Sequence, residues 1–369
     1  LHELLDLMKE VDRDFFCEAR GVSSEDDVAE GHLLLTHLIK AGLECYVDNH
    51  PEWPHFTKMI TPTMKYGGDG PDHHLYFAPL RGDRGYRIRG RMLGEVYLSF
   101  TVYGGDEGEA TWSSEVLAHA NHRQLEMEAD GSYEIVLSRE RGKGDTNWLQ
   151  LADDTISVIS RHYFENAEPA VADRAVVPHL EIAPLEAVAP PLPLSDARLA
   201  SKLRDVGRYL RRQTIDSIPS TPESVPRWWS LVPHDLPKPE TWNNDTDGGG
   251  YGAVDAAYSA APFALAPDEA LVMEGRLPTC AYANVTLWNR YLCTFDYTRA
   301  RVGLNRANME VREDGGYRII VSAQDPGVTN WLDTGGRPAG IIYWRFLLPE
   351  TEIEKTQCRV VPFNSLAGE

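Results

Sequence analysis

Histidine has the most chemistry to offer in this chain, and its twelve copies are unevenly placed: all lie at or before His234. Imidazole titrates near neutral pH and is the commonest protein ligand of transition metals. The positions that stand out are Asp72-His73-His74, His119-Ala120-Asn121-His122 and His162. His73, His74, His119 and His122 form a candidate ligand set for a divalent transition metal such as zinc, copper or iron, with a position left open to substrate. His119, His122 and His162, together with Tyr103, form a candidate acid–base set, with Asp106, Glu107 and Tyr163 as further proton carriers. On a straight strand His119 and His122 face opposite ways, so they share a site only on a loop or a helical turn. Trp112, Trp148, Arg161 and Tyr163 are the candidate substrate-binding residues, because rings stack on flat ligands and a guanidinium clamps a carboxylate. Two of these also have a structural reading: Asn147 ties a loop while Trp148 fills the core, and a buried Arg161 pairs with a neighbouring Asp.

Other patterns are weaker. Asn243-Asn244-Asp245-Thr246-Asp247-Gly248 spaces oxygen ligands like the start of a calcium loop, but Val254 stands where the bidentate Glu is needed. Trp228-Trp229, in a proline-rich stretch, either stacks on a ligand or plugs a seam. The phosphate-binding loop, the dinucleotide fingerprint, Gly-x-Ser-x-Gly and His-Glu-x-x-His are all missing, so no nucleotide cofactor is expected.

Lys and Arg number 36 against 56 Asp and Glu, a net charge of −20. Affinity for phosphate backbones and anionic bilayers comes from clustered cations, so neither nucleic acid nor membrane is an expected partner. No apolar run reaches the length of a membrane span. Leu1-His2-Glu3-Leu4-Leu5 has neither signal-peptide nor transit-peptide character, although an earlier segment carrying one is compatible with a chain that starts without Met. Five scattered cysteines fit a reducing cytoplasmic setting.

The elements that must position these residues come as a repeat. Asp130-Gly131-Ser132-Tyr133 returns as Asp314-Gly315-Gly316-Tyr317, Thr146-Asn147-Trp148-Leu149 as Thr329-Asn330-Trp331-Leu332, and Arg161 as Arg345. The spacing from Asp130 to Arg161 equals that from Asp314 to Arg345. Upstream, Gly90-Arg91 and Thr101-Val102-Tyr103 match Gly275-Arg276 and Thr286-Leu287-Trp288. Each copy reads as strands opened by Asp-Gly turns. Thr155 to Ser160 alternates like a strand with one wet face. The expected architecture is mainly β with helical additions: two tandem antiparallel β-sandwich or jelly-roll modules. Residues 1–60 form an N-terminal helical segment, with Leu4, Leu5, Met8, Val11 and Phe15 on one helix face and Ser24 capping a second helix. Residues 61–188 form the first module, 189–248 a linker with a basic helix capped by Ser195, and 249–369 the second module.

The blocks Asp130-Gly131-Ser132, Asn147-Trp148-Leu149 and Arg161-His162-Tyr163 resemble the bacterial family labelled domain of unknown function twelve-fourteen, which often follows a companion called twelve-fifty-four. The second copy is looser, with Gly316 for the Ser and Phe346-Leu347 at the closing aromatic. The resemblance covers roughly 66–166 and 250–350 and implies a β-sandwich or jelly roll. The histidine asymmetry between matched copies points to an enzyme acting on a small organic substrate (a glycoside, lipid or polyketide-like metabolite) in the first module or between the modules. The alternatives are a non-catalytic carbohydrate- or hydrophobic-ligand-binding protein, using Trp112, Trp148, Trp228 and Trp229, and a structural protein whose second module makes a homo-oligomer.

Overall fold

A computed structural model describes residues 1–106, 109–217, 221, 223–243 and 250–368. The first module contains β1 (Thr57–Lys58), β2 (His73–Pro79), β3 (Tyr86–Arg91), β4 (Tyr97–Gly104), β5 (Glu115–Asn121), β6 (Ser132–Ser138), β7 (Asn147–Gln150), β8 (Thr155–Tyr163) and β9 (His179–Pro184). The second contains β10 (Glu240–Thr241), β11 (Ala256–Ala264), β12 (Glu269–Arg276), β13 (Tyr282–Trp288), β14 (Gly303–Asn305), β15 (Gly316–Ser322), β16 (Trp331–Asp333), β17 (Ala339–Leu347) and β18 (Gln357–Pro362). Each module has a five-stranded sheet, β1-β2-β8-β4-β5 or β10-β11-β17-β13-β14, and a four-stranded one, β7-β6-β3-β9 or β16-β15-β12-β18. Leu98, Phe100, Ile135 and Val158 fill the space between the first pair of sheets, and Val285, Ile319, Trp344 and Phe346 fill the second.

The turns of the repeat explain their sequence. Gly131 and Gly315 adopt φ of 85° and 82°, where a side chain is disfavoured, and Asp130 and Asp314 accept from the amides two residues on. The five-stranded sheets are antiparallel as expected, and each four-stranded sheet adds one parallel pair, β6 with β7 and β15 with β16. The repeated Asn stands at the start of β7 and just before β16. Asn147 donates to the carbonyls of Glu126 and Glu134 and accepts from the Glu126 amide. Asn330 does the same with Glu310 and Arg318.

Helices α1 (His2–Asp14), α2 (Glu25–Gly42) and α3 (Asp196–Gln213) pack together through Leu7, Val11, Leu38, Val206 and Leu210. Ser24 and Ser195 cap α2 and α3 by accepting from Asp27 and Arg198. The basic face of α3 meets α1, with Arg204 on Glu3 and Arg211 on Glu10. Leu5, expected on the buried stripe of α1, is exposed, since that stripe is centred on Leu4, Leu7 and Val11.

The expected wet face of β8 does not exist: all nine of its residues are buried. Arg161 and Tyr163 face the other module, because the two five-stranded sheets meet through Tyr97, Tyr163, Tyr258, Tyr282, Trp288 and Tyr343. The contacts across this seam are reciprocal. Asp72 precedes β2 as Asp255 precedes β11, and each crosses to the other module. Asp255 accepts from Tyr97 Oη (2.7 Å), His119 Nε2 (3.0 Å) and Asn121 Nδ2 (2.9 Å). Asp72 accepts from Tyr282 Oη (2.6 Å) and Asn284 Nδ2 (3.3 Å). Tyr97 corresponds to Tyr282, since they pair with the equivalent Tyr163 and Leu347. Arg161 donates to the Tyr251 carbonyl and Arg345 to that of Gly68, while Tyr103 Oη reaches the Gly252 carbonyl and Trp288 Nε1 that of Asp69.

The two crossing carboxyls titrate differently. Burial raises both, but His119 sits on Asp255 and, with Tyr97 and Asn121, holds it below its ordinary value. Gly303 occupies the position equivalent to His119 in the second module, pairing with Thr286 as His119 pairs with Thr101. Asp72 therefore keeps most of its burial penalty and is raised from 3.8 to about 6. Its native form holds a proton that the unfolded chain has released, so this group favours folding below about pH 4 and loses that contribution as pH rises through 6. Asp72→Asn keeps the acceptor oxygen and cannot ionise. Denaturant unfolding is expected to show the wild type losing roughly 3 kcal/mol relative to this variant between pH 4 and 7. Parallel pH profiles for the two proteins would show that Asp72 is not the titrating group.

Candidate functional site

The histidines do not assemble. His73 and His74 alternate on β2, so their rings face opposite sides of the sheet. His73 stacks on Tyr163 with ring centres 4.6 Å apart, and both its ring nitrogens lack a hydrogen-bond partner. His74 Nε2 donates to the Ala170 carbonyl, and burial pushes its pKa down to about 4. His119 lies on β5 between Asp255 and Thr101 Oγ1, while His122, just past the strand end, lies edge-on to Tyr97. Among the described residues no group of three His, Cys, Asp or Glu side chains is placed to hold a metal. The expected metal set of His73, His74, His119 and His122 is thus dispersed over two sheet faces and a strand end. The acidic loop over 244–249 and Glu107 lie outside the described residues.

His162 has partners that its neighbours in sequence do not suggest. Its Nδ1 is 3.0 Å from Glu95 Oε1 and its Nε2 is 2.6 Å from Ser160 Oγ. This carboxylate–imidazole–hydroxyl relay has the connectivity of a nucleophilic triad, yet Ser160 and His162 are fully buried. At the equivalent positions the second module carries Cys280, Trp344 and Phe346, so the fold itself does not require polar groups there.

The expected substrate-binding residues are held by the protein. Arg161 donates to Thr101 Oγ1, to Tyr103 Oη and to the Tyr251 and Gly252 carbonyls. Neither Arg161 nor Arg345 meets a carboxylate among the described residues, which corrects the expected Arg–Asp pair. Carbonyl oxygens and tyrosine faces stabilise the charge instead, with Arg345 lying 5.6 Å from the Tyr163 ring centre and 5.0 Å from that of Tyr343. Trp148 Nε1 donates to Ser138 Oγ on the outer sheet, and Trp112 lies under Arg212 against Tyr251. The thiols of Cys280 and Cys358 are pushed up to about 11 by burial, opposite to what a nucleophile needs.

A large open volume lies elsewhere. A cleft of about 1530 Å³ runs between α2, the stretch after α3 and the edge of the second module. Phe15, Leu34, Tyr291, Trp228, Trp229 and Phe263 give it an apolar wall. Its described lining contains no histidine, and of the residues singled out in sequence Phe15, Ser24, Trp228 and Trp229 reach it. Gly340 opens the module end of the cleft: a Cβ there would come within 2.7 Å of the Phe263 ring and the Trp288 carbonyl. The first module has Ile156 at the matching position. The cleft's lining comes from segments more than 300 residues apart, with no motif to link them.

Two stretches, residues 77–166 and 259–351, match a family described as a protein of unknown function, DUF1214. No curated protein matches the chain. Among solved structures, an uncharacterized protein from Burkholderia cenocepacia is 28% identical, with a TM-score of 0.83, covering 99% of this chain and 97% of that one. The VPA0106 protein from Vibrio parahaemolyticus shares the fold at 14% identity and a TM-score of 0.53, covering 89% of this chain and 98% of that one. The repeat seen in the sequence and the paired sandwiches seen in the structure are therefore two tandem copies of the DUF1214 domain, a family of unknown function.

Proposed function

We propose that this protein binds a small apolar organic molecule in the cleft between α2, the Trp228–Trp229 stretch and the second module. The observation that carries this reading is the cleft itself: about 1530 Å³ walled by aromatic side chains, beside a seam that is closed. Binding sites for small molecules are concave, mostly apolar and rimmed by a few polar groups. Trp228 is anchored against Tyr258 and Tyr343, so its ring is fixed before a ligand arrives. A preorganised ring loses little entropy on contact. The rim is charged but largely self-neutralised, with Arg290 on Asp27 and Arg337 on Glu30.

A second reading keeps the histidines. The Glu95–His162–Ser160 relay occurs in one copy only, where the twin holds Cys280, Trp344 and Phe346, and a buried polar relay is not the cheapest way to fill a core. On this reading the protein is an enzyme on a small organic ester or similar substrate, with Ser160 reached by opening of the sandwich end. A fluorophosphonate probe that labels Ser160 in the native protein, and fails on Ser160→Ala and His162→Ala, would support it. Absence of labelling under native conditions would end it.

For the cleft, a neutral naphthylamine dye should gain fluorescence on titration into the protein and saturate at one site. Trp229→Ala should weaken it about tenfold, because a stacked indole is lost. Trp148→Phe, on the far sheet, should leave it unchanged. Equal affinity for wild type and Trp229→Ala would place the dye elsewhere.

A further inference from the structure

We infer that the cleft takes an anionic amphiphile, a monocarboxylate with an extended apolar body, whose carboxylate is received by Arg20. This rests on the cleft being the ligand site and adds the class of ligand. Three arginines line the cleft, and they are not equivalent. Arg290 is 3.2 Å from Asp27, and Arg337 is 2.6 Å from Glu30. Arg20 has no carboxylate within ion-pair distance among the described residues. Its Nη1 and Nη2 donate to the carbonyls of Ser217 and Ile215, at 2.9 Å and 2.7 Å, and its guanidinium lies 5.7 Å from the Phe15 ring centre.

Two carbonyls do not exhaust a guanidinium. It carries more N–H donors than these bonds use, fixed in a planar fork that fits a carboxylate. The Arg20 main chain is also held, since Arg290 Nη2 donates to its carbonyl at 2.8 Å. The fork is thus anchored at both ends before a ligand arrives. Of the other acids lining the cleft, Asp27 and Glu30 are paired as above, and Asp26 is exposed at the rim. An incoming anion therefore meets one uncompensated cation at the apolar wall, and the protein's overall negative charge is screened beyond about 8 Å at physiological salt. The volume suits the rest of the molecule. At about 1530 Å³ the cleft exceeds the usual range for compact ligands and leaves room for a long chain along Trp228, Trp229 and Phe263.

The test uses the full chain and a matched pair of ligands, decanoate and decanol, followed by tryptophan fluorescence and by calorimetry. Decanoate is expected to bind at least about tenfold more tightly than decanol, the worth of one charge-assisted contact. Arg20→Gln, which can still donate to a carbonyl, should remove that preference while leaving decanol affinity unchanged. Arg20→Lys, which keeps the charge and loses the fork, should retain part of it. Should decanoate and decanol bind equally, or the acid preference survive in Arg20→Gln, the assignment of Arg20 is overturned while the cleft reading stands. If neither ligand binds and the neutral dye also fails, the cleft reading falls and takes this inference with it.

Discussion

Two aspartates hold this molecule together. Asp72 and Asp255 each leave their own module at the root of a strand and accept hydrogen bonds from the central sheet of the other. Three kinds of contact repeat in both directions: aspartate to tyrosine, arginine to main-chain carbonyl, and a ring donor (Tyr103 or Trp288) to the carbonyl one residue later. That is the signature of an isologous interface, in which contact i to j implies j to i, as in a two-fold dimer. Here the two partners are one chain. Everything else, including the faces left for the helices and the cleft, depends on how this seam closes.

The seam also sets the price of burying polar strand faces. Arg161 and Arg345 are removed from water with no carboxylate paired to them among the described residues, so carbonyl dipoles and tyrosine faces carry the stabilisation. The first module closes this arrangement more fully than the second. Arg161 Nη1 reaches Thr101 Oγ1, while the equivalent Arg345 Nη1 and Thr286 Oγ1 have no hydrogen-bond partner among the described residues. The difference follows from His119, which bridges Thr101 and Asp255 and has Gly303 as its counterpart. One substitution between twins thus changes the hydrogen bonding and the titration of a crossing carboxylate together.

Much of the fold was legible in the sequence because local chemistry specified it. Asp-Gly turns need a left-handed glycine, and an Asn that binds three main-chain groups repeats wherever the module repeats. Ser24 and Ser195 announced their helices for the same reason. What was not legible is which face of a strand meets what. Ser157 and Arg161 on β8 give the alternation of a solvent-facing strand, and the same alternation serves a polar seam between modules. Likewise the histidine asymmetry was visible, but its partners were not: Glu95 lies more than sixty residues before His162, in a turn without a motif. The cleft was least legible, since Arg20, Trp229 and Gly340 are joined only by the packing of helices on the second module.

The location of that cleft is itself a consequence of duplication. In the first module, the sheet end formed by Phe77, Tyr103 and Ile156 is sealed by Cys45 and Tyr46 from the end of the α2 region and by Tyr251 from the approach to β11. The matching end of the second module has Gly340 for Ile156 and Ala260 for Phe77, and no equivalent pair of tyrosines closes it among the described residues. Trp228 and Trp229 stand over it instead, on a stretch whose main chain pairs with Ala260 of β11. Two copies related by a two-fold cannot both be capped by one set of N-terminal helices, because those helices occur once in the chain. One sheet end receives the cap and becomes core. The other is overlaid only by the Trp228–Trp229 stretch, whose rings pack on Tyr258 and Tyr343 and leave the cleft open beside them.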